Sequence, residues 1–124
     1  MLSTTVEIDG LPNSNLSPNA RIFYKKKSGV FRREKKRMED LIIMSGFRRK
    51  KLIEKATLEL RFYPSDKRKR DIDNLISASK PWIDAMQGLI IVNDDFLHIP
   101  KISAEYMNGK WKKARTEIII TELL

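Results

Sequence analysis

A chain of 124 residues with 41% hydrophobic content is read as one domain with a single modest core, and that content argues against disorder. A formal net charge of +9 and a pI near 9.9 point to a polyanionic partner, either nucleic acid or an anionic membrane surface. The absence of Cys excludes a disulfide framework and a thiolate metal site, and a single His, His98, excludes a multi-His one.

Thr4 to Asp9 alternates, with Val6 and Ile8 on one face, and reads as a short strand. Gly10 to Asn19 is turn chemistry throughout. Arg21 to Tyr24 reads as a second short strand or an extended arm. From Ser28 to Met44 the residues Phe31, Met38, Leu41, Ile42 and Met44 predict an amphipathic helix, with Gly46 as its C-cap. Ala56 to Tyr63 alternates Leu58, Leu60 and Phe62 against Thr57, Glu59, Arg61 and Tyr63, a strand ended by Pro64 and Ser65.

A second helix is expected from an N-cap at Asp73 or Asn74 to about Gln87, burying Leu75, Ala78, Trp82, Ala85 and Met86. Pro81 deletes an intrahelical bond, so a kink or restart is expected near Ser79 to Lys80. Leu89 to Val92 reads as a short buried strand or turn, and Asn93-Asp94-Asp95 as a turn. Strands over Ile99–Tyr106 and Ala114–Leu123 are expected to form a hairpin through Asn108-Gly109. The resulting fold class is α+β: a mixed β-sheet with two helices packed on one face, in a single small domain.

The aliphatic runs Leu41–Met44 and Leu89–Val92 are too short to span a bilayer, so no membrane partner is expected. Met1 to Glu7 lacks the basic and apolar regions of a signal peptide, and a cytoplasmic location follows as an expectation. Between Arg21 and Lys55 there are 14 Lys or Arg against four acids, while the remainder is close to neutral. The first helix therefore carries the electrostatic footprint, with Arg32, Arg33 and Lys36 as candidate phosphate contacts; the plain alternative is a solvated helix face.

The most informative segment is Lys67-Arg68-Lys69-Arg70-Asp71-Ile72-Asp73-Asn74. Four cations lead directly into two carboxylates spaced i, i+2, which at a strand end would project to one face and share a hard divalent cation. A third ligand is sought in Asp94 or Asp95, in the turn beyond the helix. The plain alternative makes Asp73 a helix cap and Asn93-Asp94 ordinary turn residues. Trp111, between Lys110 and Lys112, reads as a hairpin anchor or a base-stacking ring, and His98 as a surface residue or a catalytic base.

Arg70-Asp71-Ile72-Asp73-Asn74-Leu75, then Lys80, Ile83-Asp84-Ala85-Met86 and Asn93-Asp94-Asp95, resemble the core of the RusA family of Holliday-junction resolvases of lambdoid phages, prophages and bacteria. Leu16-Ser17-Pro18-Asn19-Ala20-Arg21 resembles that family's Pro-Ser-x-Asn loop, and Thr116 to Glu122 its last strand. The resemblance implies metal-binding catalytic roles for Asp71, Asp73 and Asp95, with Asp94 beside the site and Lys80 as the active-site lysine. Lys80 stands three residues later than in the compact form of the motif and precedes Pro81, and Ser77 occupies the compact register.

The resemblance further implies a homodimer that binds a four-way DNA junction and nicks two opposing strands symmetrically, in recombination and repair. Mg²⁺, or Mn²⁺, would be held by Asp71, Asp73 and Asp95, with no small-molecule cofactor. Lys67, Arg68, Lys69 and Arg70 would track the DNA backbone together with Arg32, Arg33 and Lys36. Two other classes are compatible with the residues: a basic nucleic-acid-binding module without catalysis, and a metal-dependent nuclease for another branched or RNA substrate.

Overall fold

A computed structural model describes residues 2–124. The chain runs β1 (Ser3–Asp9), a 3-10 turn (Ser14–Leu16), α1 (Tyr24–Met44), β2 (Ala56–Tyr63), α2 (Ile72–Ala78), α3 (Lys80–Met86), β3 (Lys101–Tyr106) and β4 (Arg115–Glu122). The four strands form one mixed sheet in the order β1-β4-β2-β3. The domain is α+β as expected, with three helices because the second is divided. Ser79 closes α2 with αR backbone angles, and its Oγ donates to the Leu75 carbonyl at 2.8 Å. Pro81 then falls in the first turn of α3, where its missing N–H has no intrahelical partner to lose.

The expected hairpin between the last two strands does not form. β3 pairs with β2 in parallel, Leu58 opposite Ile102, and β4 lies between β1 and β2, antiparallel to both. A parallel partner needs a long crossover, and α2 with α3 supplies it. At Asn108-Gly109 the chain only bends, with Gly109 at φ +139°. From it the chain passes the end of β2, where the Trp111 N–H donates to the Pro64 carbonyl at 2.8 Å. β4 takes the central place because Ile118 and Ile120 bury fully. β3, with Lys101, Ser103 and Glu105 exposed, suits a polar edge.

The alternation read in β2 fixes the core face. Leu58, Leu60 and Phe62 are buried, with Thr57, Glu59 and Arg61 half-buried on the far side. Against that face pack Met38 and Ile42 of α1, Trp82 and Met86 of α3, and Ile90 and Ile91 of the following turn, all fully buried. Leu89–Val92 is a turn with single bridges to Ile53 and Gln87 rather than a strand. α1 begins a turn earlier than expected, at Tyr24, so Arg21 to Phe23 is neither strand nor helix. Its end matches a Schellman geometry: Phe47 N–H donates to Ile42 and Gly46 N–H to Ile43, with Gly46 at φ +77°. Met44, expected on the buried face, is exposed.

Glu34 pins α1 to α3. Its Oε1 accepts from the Trp82 Nε1–H at 3.1 Å and from Arg37 Nη2 at 2.9 Å. Glu34→Ala removes the acceptor of a buried indole donor and is expected to cost about 1–3 kcal/mol of stability. Glu34→Gln retains an acceptor and should cost less. Urea unfolding of the two variants beside the wild type measures the difference, and equal midpoints in all three would contradict the assignment.

Candidate nucleic-acid interface and carboxylate site

Asp66 organises the basic loop that leaves β2. Arg70 donates to it twice, Nη1 to Oδ1 at 2.9 Å and Nη2 to Oδ2 at 3.1 Å, and Arg70 Nη1 also reaches the Tyr106 hydroxyl of β3 at 3.1 Å. The Arg68 backbone N–H donates to Asp66 at 3.0 Å, and its Nε at 3.3 Å. Two of the four expected phosphate contacts are therefore engaged within the loop. Lys67 and Lys69 are exposed and have no ion-pair partner among the described residues.

The Arg70 guanidinium, then the Arg68 N–H, hold the Asp66 carboxyl well below the usual carboxylate range. A carboxyl depressed in the folded state stabilises it above the ordinary carboxylate value, and that contribution is lost only as the pH falls through the lower folded value. A carbon-13 titration should find Asp66 ionised through the range where free carboxylates protonate. In Arg70→Ala the midpoint should move up toward the ordinary value; an unmoved midpoint would contradict the clamp.

The loop delivers Asp71 and Asp73 to the start of α2. The helix begins at Ile72 with Asp71 as its N-cap, two or three residues earlier than expected, so the two carboxylates do not share a strand face. Asp71 occupies the N-cap position with extended angles and makes no side-chain capping bond, and Asp73 lies in the first turn. Asp73 Oδ1 accepts from the Asn74 N–H at 3.0 Å. Both are exposed, and carboxylates at a helix N-terminus are favoured by its partial positive charge. Asp71 and Asn74 line a cleft of about 280 Å³ together with Lys69, Arg70, Ser14 and Ser17. The N-terminal loop is thus folded against the D-x-D-N segment, its 3-10 turn capped by Asn13 Oδ1 on the Asn15 N–H at 3.0 Å.

Lys80 and the Asn93–Asp95 turn meet at the start of α3. Lys80 Nζ lies 2.7 Å from Asp84 Oδ1 and 2.7 Å from Asp94 Oδ2. Burial pulls the ammonium down, but the hydrogen bonds it donates to Asp84 and Asp94 outweigh that and the Lys80 pKa is raised. Asp94 is lowered in turn, since its bond to Lys80 overcomes its own burial. Asp95 faces its own turn: Oδ1 accepts from the Leu97 and His98 N–H groups at 3.1 Å each and lies 2.6 Å from His98 Nδ1. His98 is the main cause of the lowered Asp95 pKa.

The donor chemistry suits a hard cation, since Asp71, Asp73 and Asp95 offer only carboxylate oxygen. Asp71 has both oxygens free, and Asp73 and Asp95 each have one free of hydrogen bonds among the described residues. Their arrangement is more open: among the described residues no three Asp, Glu or His side chains are gathered closely enough to share an ion. The residue brought to Lys80 is Asp94, the neighbour of the one the sequence motif favours.

On α1, Arg33 is exposed without an ion-pair partner among the described residues, and Lys36 pairs with Asp40 at 3.1 Å. Arg32 faces a groove that also holds Ser77 and Lys80. Trp111 is an anchor on the outer sheet face. It sets its edge against Tyr63, centroids 5.1 Å apart, and donates from Nε1 to the Met107 carbonyl at 3.0 Å. Sequence reasoning passed over Asp66 and Tyr106; the i, i+4 spacing of Asp66 and Arg70 was a usable signal for the first, whereas Tyr106 needs the parallel β2-β3 register. No helix among the described residues is long and apolar enough to cross a membrane. A scan against protein-family models matches none, and a search of curated proteins finds no similar sequence.

Proposed function

We propose that the protein is a metal-dependent endonuclease that nicks four-way DNA junctions as a homodimer. The observation that carries this reading is the clamped loop Asp66–Arg70, which runs without a break into Asp71 and Asp73 at the head of α2. A loop fixed at both ends presents Lys67 and Lys69 to a phosphate backbone, and the next residues are carboxylates with oxygens to spare. Phosphate contacts of this kind fix register and orientation and carry no sequence information, which suits a substrate recognised by shape.

Asp71 and Asp73 are the residues that would hold Mg²⁺ or Mn²⁺, and Asp95, which is not gathered with them, would have to close on them when the ion binds. The ion, when bound, supplies a lowered water pKa and charge stabilisation at the scissile phosphate. Lys67 and Lys69 bind the strand on either side of that phosphate. Lys80, positioned by Asp84 and Asp94, neutralises charge gathering on the phosphate as the P–O3′ bond breaks. Water adds to phosphorus, the 3′ oxygen leaves with a proton, and the nick carries a 3′-hydroxyl and a 5′-phosphate. Two-fold symmetry in a dimer matches two equivalent scissile phosphates on opposing strands.

A second reading, a nucleic-acid-binding module without catalysis, is favoured by one observation: Asp95 already serves its own turn and Asp94 already pairs with Lys80. Labelling each of the four junction strands in turn separates the two. Nicks on two opposing strands at equal distance from the crossover are expected, whereas binding with no nick on any strand selects the second reading.

A further inference from the structure

Phe23 and Tyr24 are 86% and 78% exposed at the point where the chain enters α1. Scattered exposed apolar residues are ordinary, but two consecutive aromatic rings immediately before Lys25, Lys26 and Lys27 are not. Neither ring supports the fold. Phe23 sits at the N-cap position without a side-chain capping bond, and only its carbonyl is used, accepting from the Lys27 N–H at 3.0 Å.

Tyr24 forms one wall of an open groove of about 400 Å³ between the first turns of α1 and the α2–α3 junction. Leu16, Phe31 and Pro81 give the groove its apolar lining, and Lys27 and Arg32 its cations; Lys80 also lines it but is already paired with Asp84 and Asp94. Lys27 is ordered by its bond to the Ser17 carbonyl at 3.3 Å, and Arg32 has no ion-pair partner among the described residues. A duplex backbone asks only for cations. An apolar lining with an aromatic wall and two cations beside it matches a nucleotide whose base is out of its stack, the aromatic ring taking the base face and the cations its flanking phosphates.

We infer that this groove seats an unpaired base of a DNA strand, with Tyr24 stacked on it and Phe23 covering the gap beside it. The inference rests on the nucleic-acid-binding part of the proposed function and not on cleavage. It gives the protein a means of holding a strand where a base leaves its stack, which continuous duplex does not offer.

The test uses the full chain, a single-stranded DNA oligonucleotide carrying a fluorescent adenine analogue, and the same sequence as duplex. Wild-type protein should quench the analogue on binding the single strand. Phe23→Ala/Tyr24→Ala should lose the quenching and bind the single strand about tenfold more weakly, with duplex affinity unchanged. Phe23→Tyr/Tyr24→Phe, which keeps both rings, should behave as wild type. Unaltered quenching and affinity in the alanine variant would overturn the inference while leaving nucleic-acid binding in place. A dimeric wild type beside a monomeric alanine variant in sedimentation would overturn it in favour of a subunit contact. Failure of the wild type to bind either DNA at low salt would overturn it together with the function it rests on.

Discussion

Asp71→Asn, Asp73→Asn and Asp95→Asn should each abolish nicking of a four-way junction while leaving junction binding intact or tighter. Each change replaces a carboxylate by a neutral amide of nearly the same shape. The loss expected is at least about 10³-fold in rate, the scale set by charged groups aimed at a transition state. With metal chelated, each change only removes negative charge near the DNA, so binding in EDTA should hold. The three are not equivalent for folding. Asp71 makes no side-chain bond, so, like Asp73, it favours the head of α2 only through the helix's partial charge, by about 0.3–1 kcal/mol each. Asp95 accepts from Leu97 and His98, and Asn retains that acceptor, so a melt beside each cleavage assay separates misfolding from lost chemistry. An Asp71→Asn protein that cuts at near wild-type rate would remove this residue from the site.

Lys80→Ala is expected to slow nicking by about 10²–10³-fold, the usual effect of losing one transition-state charge contact. Junction binding should barely change, because one phosphate contact is a small part of the total. The competing role is structural. Lys80 bridges Asp84 on its own helix to Asp94 across the following turn, each at 2.7 Å. With a side chain 54% exposed, the network belongs with surface pairs worth about 0–1 kcal/mol. Stability and rate therefore separate the two roles: a catalytic Lys80 gives a large rate effect and a small shift in melting. Lys80→Arg should restore the Asp84 and Asp94 pairing, and partial recovery of rate would follow from the retained charge. Ser77→Ala is the companion, since Ser77 holds the compact register of the motif and faces the same groove as Lys80. If Lys80→Ala cleaves normally and Ser77→Ala does not, the lysine role is misassigned.

Much of the fold is legible in local pattern. The alternation of Leu58, Leu60 and Phe62 and the stripe Leu75, Ala78, Trp82, Ala85 and Met86 each correspond to the buried faces found. The break at Ser79 follows from Pro81, a purely local constraint. Strand order was not legible, because Asn108-Gly109 reads as a hairpin whether its flanking strands pair or part. What separates them is the crossover through α2 and α3, which makes β2 and β3 parallel neighbours. The start of α1 was missed for a related reason: Tyr24 to Lys27 carries no apolar period. The candidate site was legible in part. Spacing marked Asp71 and Asp73, while the loop clamp through Asp66 and Tyr106 and the Lys80–Asp94 bridge depend on side chains far apart in sequence.

Metal-dependent nicking selective for branched DNA is tested by one incubation. The protein is mixed with a synthetic four-way junction and with a linear duplex of matched sequence, each with Mg²⁺ and with EDTA. Nicks in the junction alone, present with Mg²⁺ and absent with EDTA, are the result expected. A junction that is bound but left whole in Mg²⁺, or a duplex cut as readily as the junction, would contradict the claim.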